Sequence, residues 1–147
     1  MSLNIDILMQ DFKKSHQISN DAMLIVGVSG GCDSMVLLHA LRKVHSKITV
    51  AHVNYKLRGS DSDEDADLVK QISRDNELHF KCLEHDLRVD LDQHGGNLQE
   101  KARDVRYLFF KQLLNTYDSA YLVLAHHQGD QIENFWMQMA RSSGIRA

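Results

Sequence analysis

The stretch at residues 23–34, MLIVGVSGGCDS, decides the fold of this chain. It begins with a run of apolar residues, passes through a glycine-rich turn at 29–31, and continues into an apolar pattern of helical spacing. This order predicts a buried strand, a tight turn and a helix. Glycines suit such a turn because they allow positive φ and close backbone approach. The N–H groups of the turn and the positive end of the helix would then attract an anion, most often phosphate.

The side chains of this turn narrow the choice of ligand. Ser29 and Ser34 offer hydroxyls, and Asp33 offers a carboxylate that can hold magnesium on phosphates. The turn lacks the lysine of a Walker A loop and the second glycine of a dinucleotide fingerprint. Residues 29–34, SGGCDS, instead resemble the PP-loop (SGGxDS) of the ATP pyrophosphatase family, whose enzymes cleave ATP between the α- and β-phosphates. A tight strand–helix turn without a ligand is the alternative.

Length and composition limit the class of protein. The chain has 147 residues, which predicts one domain with a real core, and its 43% hydrophobic and 25% charged residues are ordinary for a soluble globular protein. No apolar run reaches the roughly 18 residues of a membrane span. Cys32 and Cys82 form no CxxC pair, so we expect a reduced, cytoplasmic protein. The net charge of −3 argues against a nucleic-acid clamp over the whole domain, but it leaves a basic edge or a separate binding domain open.

Apolar spacing predicts helices that alternate with strands along the rest of the chain. Helices are expected over 4–16, 34–44, 60–76, 97–117 and after 130, and strands over 48–53, 77–83 and 121–125, with a loop at 85–96. Ser62 and Asp65 resemble a capping box. The core stripe of the long helix is expected to be Leu98, Ala102, Val105, Phe109 and Leu113. The alternation predicts an α/β fold, a doubly wound parallel sheet flanked by helices, with ligands at the carboxyl ends of the strands.

Polar residues follow two of the predicted strands. His52 and Asn54 end the second strand, beside the glycine turn if the sheet is parallel, and are placed to touch a nucleotide; an ordinary strand end is the alternative. His126, His127 and Asp130 follow the fourth strand and repeat the geometry of the first turn. Zinc bound by His52, His126 and His127 is a further alternative, although a cysteine ligand is missing.

Two charged clusters have two interpretations each. The acidic run at 61–67 is a solvated helix start or, less simply, a metal site. Arg103 and Arg106 lie three residues apart on one helix face, where they can meet an anion together or form exposed salt bridges.

Four segments taken together resemble the N-terminal catalytic domain of the tRNA(Ile)-lysidine synthetase family. They are SGGCDS at 29–34, HVNYKLRG at 52–59, ARDVRY at 102–107 and AHHQGDQIEN at 125–134. The resemblance implies an adenine nucleotide alpha hydrolase-like fold. It implies that ATP adenylates the 2-carbonyl oxygen of the wobble cytidine in an isoleucine tRNA with a CAU anticodon, and that free lysine then displaces AMP to form lysidine. The implied cofactors are ATP and Mg²⁺, the partners are that tRNA and free lysine, and homodimer formation is left open.

The resemblance also assigns roles to individual residues. The ATP-binding residues would be Ser29, Gly30, Gly31, Asp33, Ser34, His52 and Asn54. The catalytic residues would be Asp33, His126 and Asp130, with His126 carrying a proton and both aspartates holding the metal. Substrate or anion contacts would come from Arg58, Arg103 and Arg106.

The chain departs from the family pattern at several positions. Family members usually show HVNHGLRG, HHxDDQxET and an RGSG turn, and the departures here are Tyr55, Lys56, Gly129, Asn134 and Ser142. The family continues beyond the length of this chain with domains that grip the tRNA. We therefore expect residues 1–147 to be the PP-loop catalytic domain, as a fragment or a short relative. The alternatives are another PP-loop tRNA-modifying enzyme, such as a 2-thiolation protein with paired cysteines, and a non-catalytic ATP-binding module.

Overall fold

The computed structural model describes residues 5–127 and 135–141. Its elements, in chain order, are α1 Ile5–Ser15, β1 Met23–Gly27, α2 Cys32–Val44, β2 Ile48–Asn54, α3 Ser60–Asp75, β3 His79–Glu84, α4 Leu87–His94, α5 Leu98–Leu114, β4 Ala120–His127 and β5 Phe135–Arg141. The strands form one sheet in the order β3-β2-β1-β4-β5. None of the helices in the described ranges is long and apolar enough to cross a membrane.

The four strands β1 to β4 run parallel, which confirms the predicted doubly wound sheet. β1 lies in the centre, pairing with β2 on one side and with β4 on the other. Leu24, Ile25 and Val26 are completely buried, because helices cover both faces of this central strand. The parallel register brings the loop after β1 and the ends of β2 and β4 to one edge of the sheet, where ligands of such folds bind.

The two faces of the sheet have separate cores. Leu24 and Val26 of β1 face a core built with α1, α2 and α3; other members are Met9, Leu37, Leu41 and Val69. Ile25 faces the second core, built mainly with α5; other members are Phe109, Phe110, Leu113, Leu114 and Leu122. The alternation of neighbouring β1 residues between these cores follows the two-residue period of a strand.

The predicted loop at 85–96 is wrong, because this segment contains the helix α4. The Asp86 side chain caps the helix by accepting hydrogen bonds from the N–H groups of Arg88 and Val89, at 3.0 and 3.3 Å. Leu87 is fully buried and anchors the first turn. A side-chain cap and one buried leucine thus hold a short helix whose remaining residues are polar enough to suggest a loop.

The predicted helix after residue 130 is also wrong over 135–141, where β5 pairs antiparallel with β4. Ile132, one residue of the predicted helical stripe, lies outside the described residues. Phe135 and Trp136 belong to residue types that favour strands, and a short apolar run cannot be assigned to helix or strand by periodicity alone. Pairing with β5 gives hydrogen-bond partners to the backbone groups along the edge of β4, and this favours a strand over a helix at residues 135–141.

The predicted capping box at the start of α3 does not form. The N-cap is Gly59, and the Ser62 hydroxyl accepts a hydrogen bond from the N–H of Arg58 at 3.0 Å. Asp65 pairs with the Arg58 side chain instead of the helix N-terminus. The segment before α3 is therefore tied to the helix by two side chains, Ser62 and Asp65.

A cluster around Asp90 joins α4 to its neighbours. The Asp90 carboxylate lies 3.0 Å from His85 Nε2, 3.1 Å from Lys101 Nζ and 3.2 Å from His94 Nδ1. Hydrogen bonds from His85 and then from Lys101 lower the pKa of Asp90 to about 2. Because Lys101 belongs to α5, this carboxylate links α4 with α5.

Asp90 should contribute a pH-dependent part of the stability. Its pKa in the folded protein lies below the unfolded value of about 3.9. The contribution is therefore fully present above that pH and is lost as the pH falls toward 2. Urea unfolding from pH 7 down to pH 3 should show that Asp90→Asn reduces the fall of the unfolding free energy with acid. Asp92→Asn, an exposed position on the same helix, is the matched control; equal pH profiles for wild type and Asp90→Asn would contradict the prediction.

Candidate nucleotide-binding site

Residues 28–34, hereafter the glycine loop, comprise the connection between β1 and α2 and the first turn of α2. The connection is a tight turn. Gly30 has φ +92°, a conformation that side chains with a β-carbon rarely adopt. Gly31 is the extended N-cap of α2 and receives no side-chain cap. The N–H groups of residues 32–34 precede the first helical hydrogen bond, from Met35 to Gly31, and make none to any described residue. They form an uncapped positive helix end at the edge of the sheet, suited to an anion.

Two serine hydroxyls brace the glycine loop. The Ser34 hydroxyl accepts from the N–H of Ser29 at 3.1 Å and donates to the carbonyl of Gly31 at 3.2 Å. The Ser29 hydroxyl accepts from the N–H of Gly31 at 3.2 Å and lies 3.2 Å from the Ser34 hydroxyl. Ser34 is buried, whereas Ser29 is exposed. Ser34 thus shapes the loop from inside, and Ser29 is the hydroxyl that solvent reaches.

Asp33 lies in the first turn of α2 and is half-buried. Its carboxylate forms no hydrogen bond or ion pair with any residue that the structure describes. The neighbouring Cys32 is exposed. A free carboxylate beside unpaired N–H groups fits a Mg²⁺–phosphate site, because Mg²⁺ prefers oxygen ligands from one or two carboxylates and from the phosphates themselves.

His52 clamps the end of β2 to the glycine loop. Its Nδ1 lies 2.7 Å from the carbonyl oxygen of Val28, and the side chain is only 4% exposed. A carbonyl only accepts hydrogen bonds, so Nδ1 carries the proton, and in the neutral ring Nε2 is left as an acceptor. The N–H of Val28 donates to the carbonyl of Ala51 at 2.8 Å, which completes the clamp.

Asn54 is a second buried polar residue at the end of β2. Its Nδ2 donates to Asp63 Oδ1 at 2.8 Å, and its Oδ1 accepts from the N–H of Lys56 at 3.0 Å. Both ends of the amide are therefore engaged in holding the loop after β2 against α3. The amide keeps a second N–H and a second lone pair, so these two bonds do not exclude the predicted nucleotide contact of Asn54, which stays a prediction.

The two departures from the family pattern at 55–56 both have partners. Lys56 has φ +58° where the family usually has glycine, and its Nζ lies 2.7 Å from Asp63 and 3.6 Å from Glu84. The hydrogen bond between Lys56 and Asp63 raises the pKa of the lysine and lowers that of the aspartate. The Tyr55 hydroxyl donates to the carbonyl of Ala102 at 3.2 Å, which attaches this loop to α5.

The three predicted anion-binding arginines differ in their surroundings. Arg58 is exposed and pairs with Asp65. Arg106 is half-buried, with its Cζ 5.6 Å from the centre of the Tyr107 ring. Burial raises the pKa of the Tyr55 hydroxyl, and the nearby Arg106 guanidinium opposes that rise. Arg103 is exposed. Arg106 thus lies near the loop after β2.

Two of the predicted catalytic residues are His126, which lies within the last part of β4, and Asp130, which comes after this strand in the sequence. The backbone of His126 lies at the carboxyl end of this strand, two residues beyond Leu124, the last residue of β4 paired with β1. Its position along the sheet therefore corresponds to the edge where the glycine loop begins. Asp130, together with Gly129, Asn134 and Ser142, lies outside the described residues, so the pairing of His126 with Asp130 stays a prediction. Within the described ranges, no group of three histidine, cysteine or acidic side chains could hold a metal ion.

Sequence reasoning missed one neighbour of the glycine loop. A β-carbon built on Gly30 would lie 3.5 Å from the β-carbon of Asp65. Asp65 belongs to the acidic run at the start of α3, which composition alone describes as a solvated helix start. Its contact with the loop depends on how α3 packs against β2 and β3, and no spacing in the sequence indicates it.

Replacing Gly30 with alanine should damage the loop specifically. A side chain at φ +92° costs about 1–3 kcal/mol, because the backbone must distort or the loop must change conformation. Gly95→Ala is the matched control, since Gly95 also has positive φ but has no atom within 4 Å of an added β-carbon. Both variants should lower the melting temperature, and only Gly30→Ala should also weaken binding of inorganic pyrophosphate in calorimetry. Equal pyrophosphate binding by the two variants would contradict the importance of this turn.

Comparison with known proteins agrees with this geometry. The profile of a family described as a PP-loop domain matches residues 3–147. The tRNA(Ile)-lysidine synthase of Bacillus subtilis (strain 168) is 36% identical over 138 residues, covering 91% of this chain and 29% of that protein. The synthase of that name from Clostridium tetani is 33% identical over 145 residues, covering 96% of this chain and 31% of that protein. The chain thus spans less than a third of the length of these relatives.

A solved structure supports the fold assignment. The NH3-dependent NAD synthetase from Campylobacter jejuni, in complex with the nitrate ion, superposes with a TM-score of 0.62 at 17% identity. The match covers 84% of this chain and 56% of that one, and it concerns the fold alone. The family profile spans nearly the whole sequence, including the glycine loop and its flanking elements. The chain belongs to the PP-loop domain family.

Proposed function

We propose that this chain is the ATP-binding catalytic domain of a tRNA(Ile)-lysidine synthase. The observation that carries the proposal is the glycine loop: an SGGCDS turn with unpaired helix N–H groups, in a chain 36% identical to a protein of that name. The complete enzyme would adenylate the wobble cytidine of an isoleucine tRNA with a CAU anticodon and ligate free lysine. We place the catalytic domain at residues 1–147 and expect tRNA-gripping domains in the part of the relatives that this chain does not span.

The proposed reaction has two bond exchanges. The 2-carbonyl oxygen of the cytidine attacks the α-phosphorus of ATP, and the bond to the β-phosphate oxygen breaks, releasing pyrophosphate. An amine of lysine then attacks carbon 2 of the ring, and AMP leaves with the oxygen. The first exchange is needed because the carbonyl oxygen is a poor leaving group, whereas an AMP ester is a good one. The lysine amine must lose a proton when its bond to carbon 2 forms, and a nearby base has to accept that proton.

The glycine loop would act in the first step. Its N–H groups at residues 32–34 can donate to the β- and γ-phosphates, whose charge increases as pyrophosphate departs. Asp33 and Asp130 would hold Mg²⁺. When bound, the ion neutralises phosphate charge. Ser34 keeps the turn in shape through its bonds to residues 29 and 31. Ser29 adds a hydroxyl that a phosphate can reach.

The histidines would have different tasks. Because His52 Nδ1 donates to the Val28 carbonyl, Nε2 of the neutral ring is an acceptor, and a donor on the adenosine, such as the exocyclic amine or a ribose hydroxyl, suits it. His126 would carry the proton from the lysine amine, since a histidine exchanges protons near neutral pH. Arg58, Arg103 and Arg106 would contact phosphates of ATP or of the tRNA backbone.

Pyrophosphate release by the full-length gene product tests the proposal against its rivals. With cognate tRNA and ATP, a lysidine synthase should release a burst of pyrophosphate without lysine and should turn over when lysine is added. A sulfur-transferring PP-loop enzyme would be indifferent to lysine. A non-catalytic module would bind ATP and release no pyrophosphate at all. Lysine-independent turnover, or no tRNA dependence, would refute the proposal.

A further inference from the structure

An acidic side chain lies against the glycine loop. A β-carbon built on Gly30 would lie 3.5 Å from the Asp65 β-carbon, 3.7 Å from its Cγ and 3.9 Å from its Oδ1. Asp65 is on the second turn of α3, so the helix fixes the position of this carboxylate beside the loop. A carboxylate and a polyphosphate have the same sign of charge and repel each other unless a cation lies between them. Placing an aspartate here is therefore unfavourable for anion binding.

Arg58 neutralises this carboxylate. Its Nη2 donates to Asp65 Oδ2. The guanidinium is thereby held next to the carboxylate that lies beside the loop. The Arg58 main-chain N–H is anchored on the Ser62 hydroxyl at 3.0 Å, while its side chain is 63% exposed. The backbone is thus held, and the guanidinium can change partner by rotation of its own side chain. The nearby Lys56 is held by two carboxylates, Asp63 at 2.7 Å and Glu84 at 3.6 Å, whereas Arg58 pairs with one, Asp65, so fewer ion pairs hold Arg58 in place.

We propose that Asp65 sets the affinity of the glycine loop for pyrophosphate by competing for Arg58. In the empty site, Arg58 pairs with Asp65. When pyrophosphate or the triphosphate of ATP binds, Arg58 exchanges the carboxylate for a phosphate oxygen, which is a preferred partner of a guanidinium. The inference rests on the proposed nucleotide site and adds two residues with opposing effects to it.

The exchange has a use in the proposed reaction. Binding must break the Arg58–Asp65 pair and leave an unpaired carboxylate beside the anion, so the loop binds polyphosphate less tightly than it would with a free arginine. When pyrophosphate leaves, the pair forms again and favours the release. Asp65 would thus prevent the first product from remaining on the loop. Since the carboxylate acts mainly through the arginine, its influence should be much smaller when Arg58 is removed.

Calorimetric titration of the protein with inorganic pyrophosphate, without magnesium and at low salt, tests this. Asp65→Asn should bind pyrophosphate at least about threefold more tightly, since one like charge is removed and Arg58 is released. Asp67→Asn is the matched control: it removes the same charge from an exposed position on the same helix and should change the affinity by less than about twofold. Arg58→Gln should weaken binding. In the double variant Asp65→Asn/Arg58→Gln, most of the gain of the single Asp65 change should be lost, and only the part due to direct repulsion should remain.

The outcomes separate this inference from the proposed function. Unchanged or weaker pyrophosphate binding by Asp65→Asn, with wild type binding normally, would overturn the inference alone. An equal gain in the Arg58→Gln background would show direct repulsion and would overturn the exchange of partners. If wild type bound neither pyrophosphate nor ATP, the nucleotide site itself would be refuted. Circular dichroism checks folding of each variant, and Asp65→Ser supplies the same loss of charge should the asparagine variant not fold.

Discussion

Replacing His126 with alanine should lower lysidine formation by the complete enzyme by about a hundredfold or more, because general acid–base catalysis contributes roughly that much. ATP affinity should stay nearly unchanged, since the proposed phosphate contacts come from the glycine loop and do not include this residue. His126 lies at the carboxyl end of β4, at the edge of the sheet where the glycine loop begins. A histidine there is suited to proton transfer near neutral pH. The measurement is single-turnover kinetics at saturating ATP, together with calorimetry of ATP binding.

His127→Ala is the matched control for this prediction. Consecutive residues of a strand alternate between its two faces, so we expect His126 and His127 to belong to opposite faces of the sheet. The His127 variant should keep most of its activity. Full lysidine formation by His126→Ala, or a larger loss in His127→Ala, would show that the catalytic assignment is wrong. Loss of ATP binding by His126→Ala would instead make the residue part of the nucleotide site.

Asp33→Ala should have the second large effect, on binding of ATP with magnesium. A charged group that contacts a ligand through a metal or a charge-assisted hydrogen bond contributes about 1.5–3 kcal/mol. That corresponds to roughly a ten- to hundredfold weaker affinity. AMP lacks the β- and γ-phosphates, whose charge the ion would neutralise, so its affinity should change much less. Calorimetry with ATP and AMP, each with and without magnesium, measures the difference.

The control for Asp33 is Asp11→Ala, an exposed aspartate on α1 at a distance from the loop in the sequence. It should leave the affinity for both nucleotides unchanged. An equal loss of ATP and AMP binding in Asp33→Ala would mean that the carboxylate stabilises the start of α2 and has no role toward the metal. The structure makes that outcome testable, because the Asp33 carboxylate has no partner among the described residues.

The part of the fold nearest the glycine loop could be predicted from the sequence. An apolar run followed by glycines and a helical pattern has few other solutions, and β1, the loop and α2 form as predicted. The parallel order of β1 to β4 follows from the alternation of strands and helices. These predictions succeeded because local spacing and global packing agree in this part of the chain.

Other features depend on contacts that spacing does not encode. Leu98 was expected in the core stripe of α5 and is 39% exposed, because it begins the helix. The buried residues of α5 lie in its last two turns: Phe109, Phe110, Leu113 and Leu114. α4 depends on the hydrogen bonds of its cap, Asp86, and the polar composition of residues 85–96 does not indicate a helix. The contact of Asp65 with Gly30 arises only when α3 packs beside the glycine loop. Each of these features is decided by tertiary packing.

Transfer of labelled lysine to a tRNA tests the central claim most directly. The full-length protein would be incubated with ATP, magnesium, labelled lysine and an isoleucine tRNA transcript with a CAU anticodon, and the tRNA would be digested to nucleosides and analysed by mass spectrometry. The account predicts lysine attached to the wobble cytidine, dependent on ATP, and absent when that cytidine is replaced by uridine. ATP-dependent modification without lysine in the product, or ATP binding with an unmodified tRNA, would contradict it.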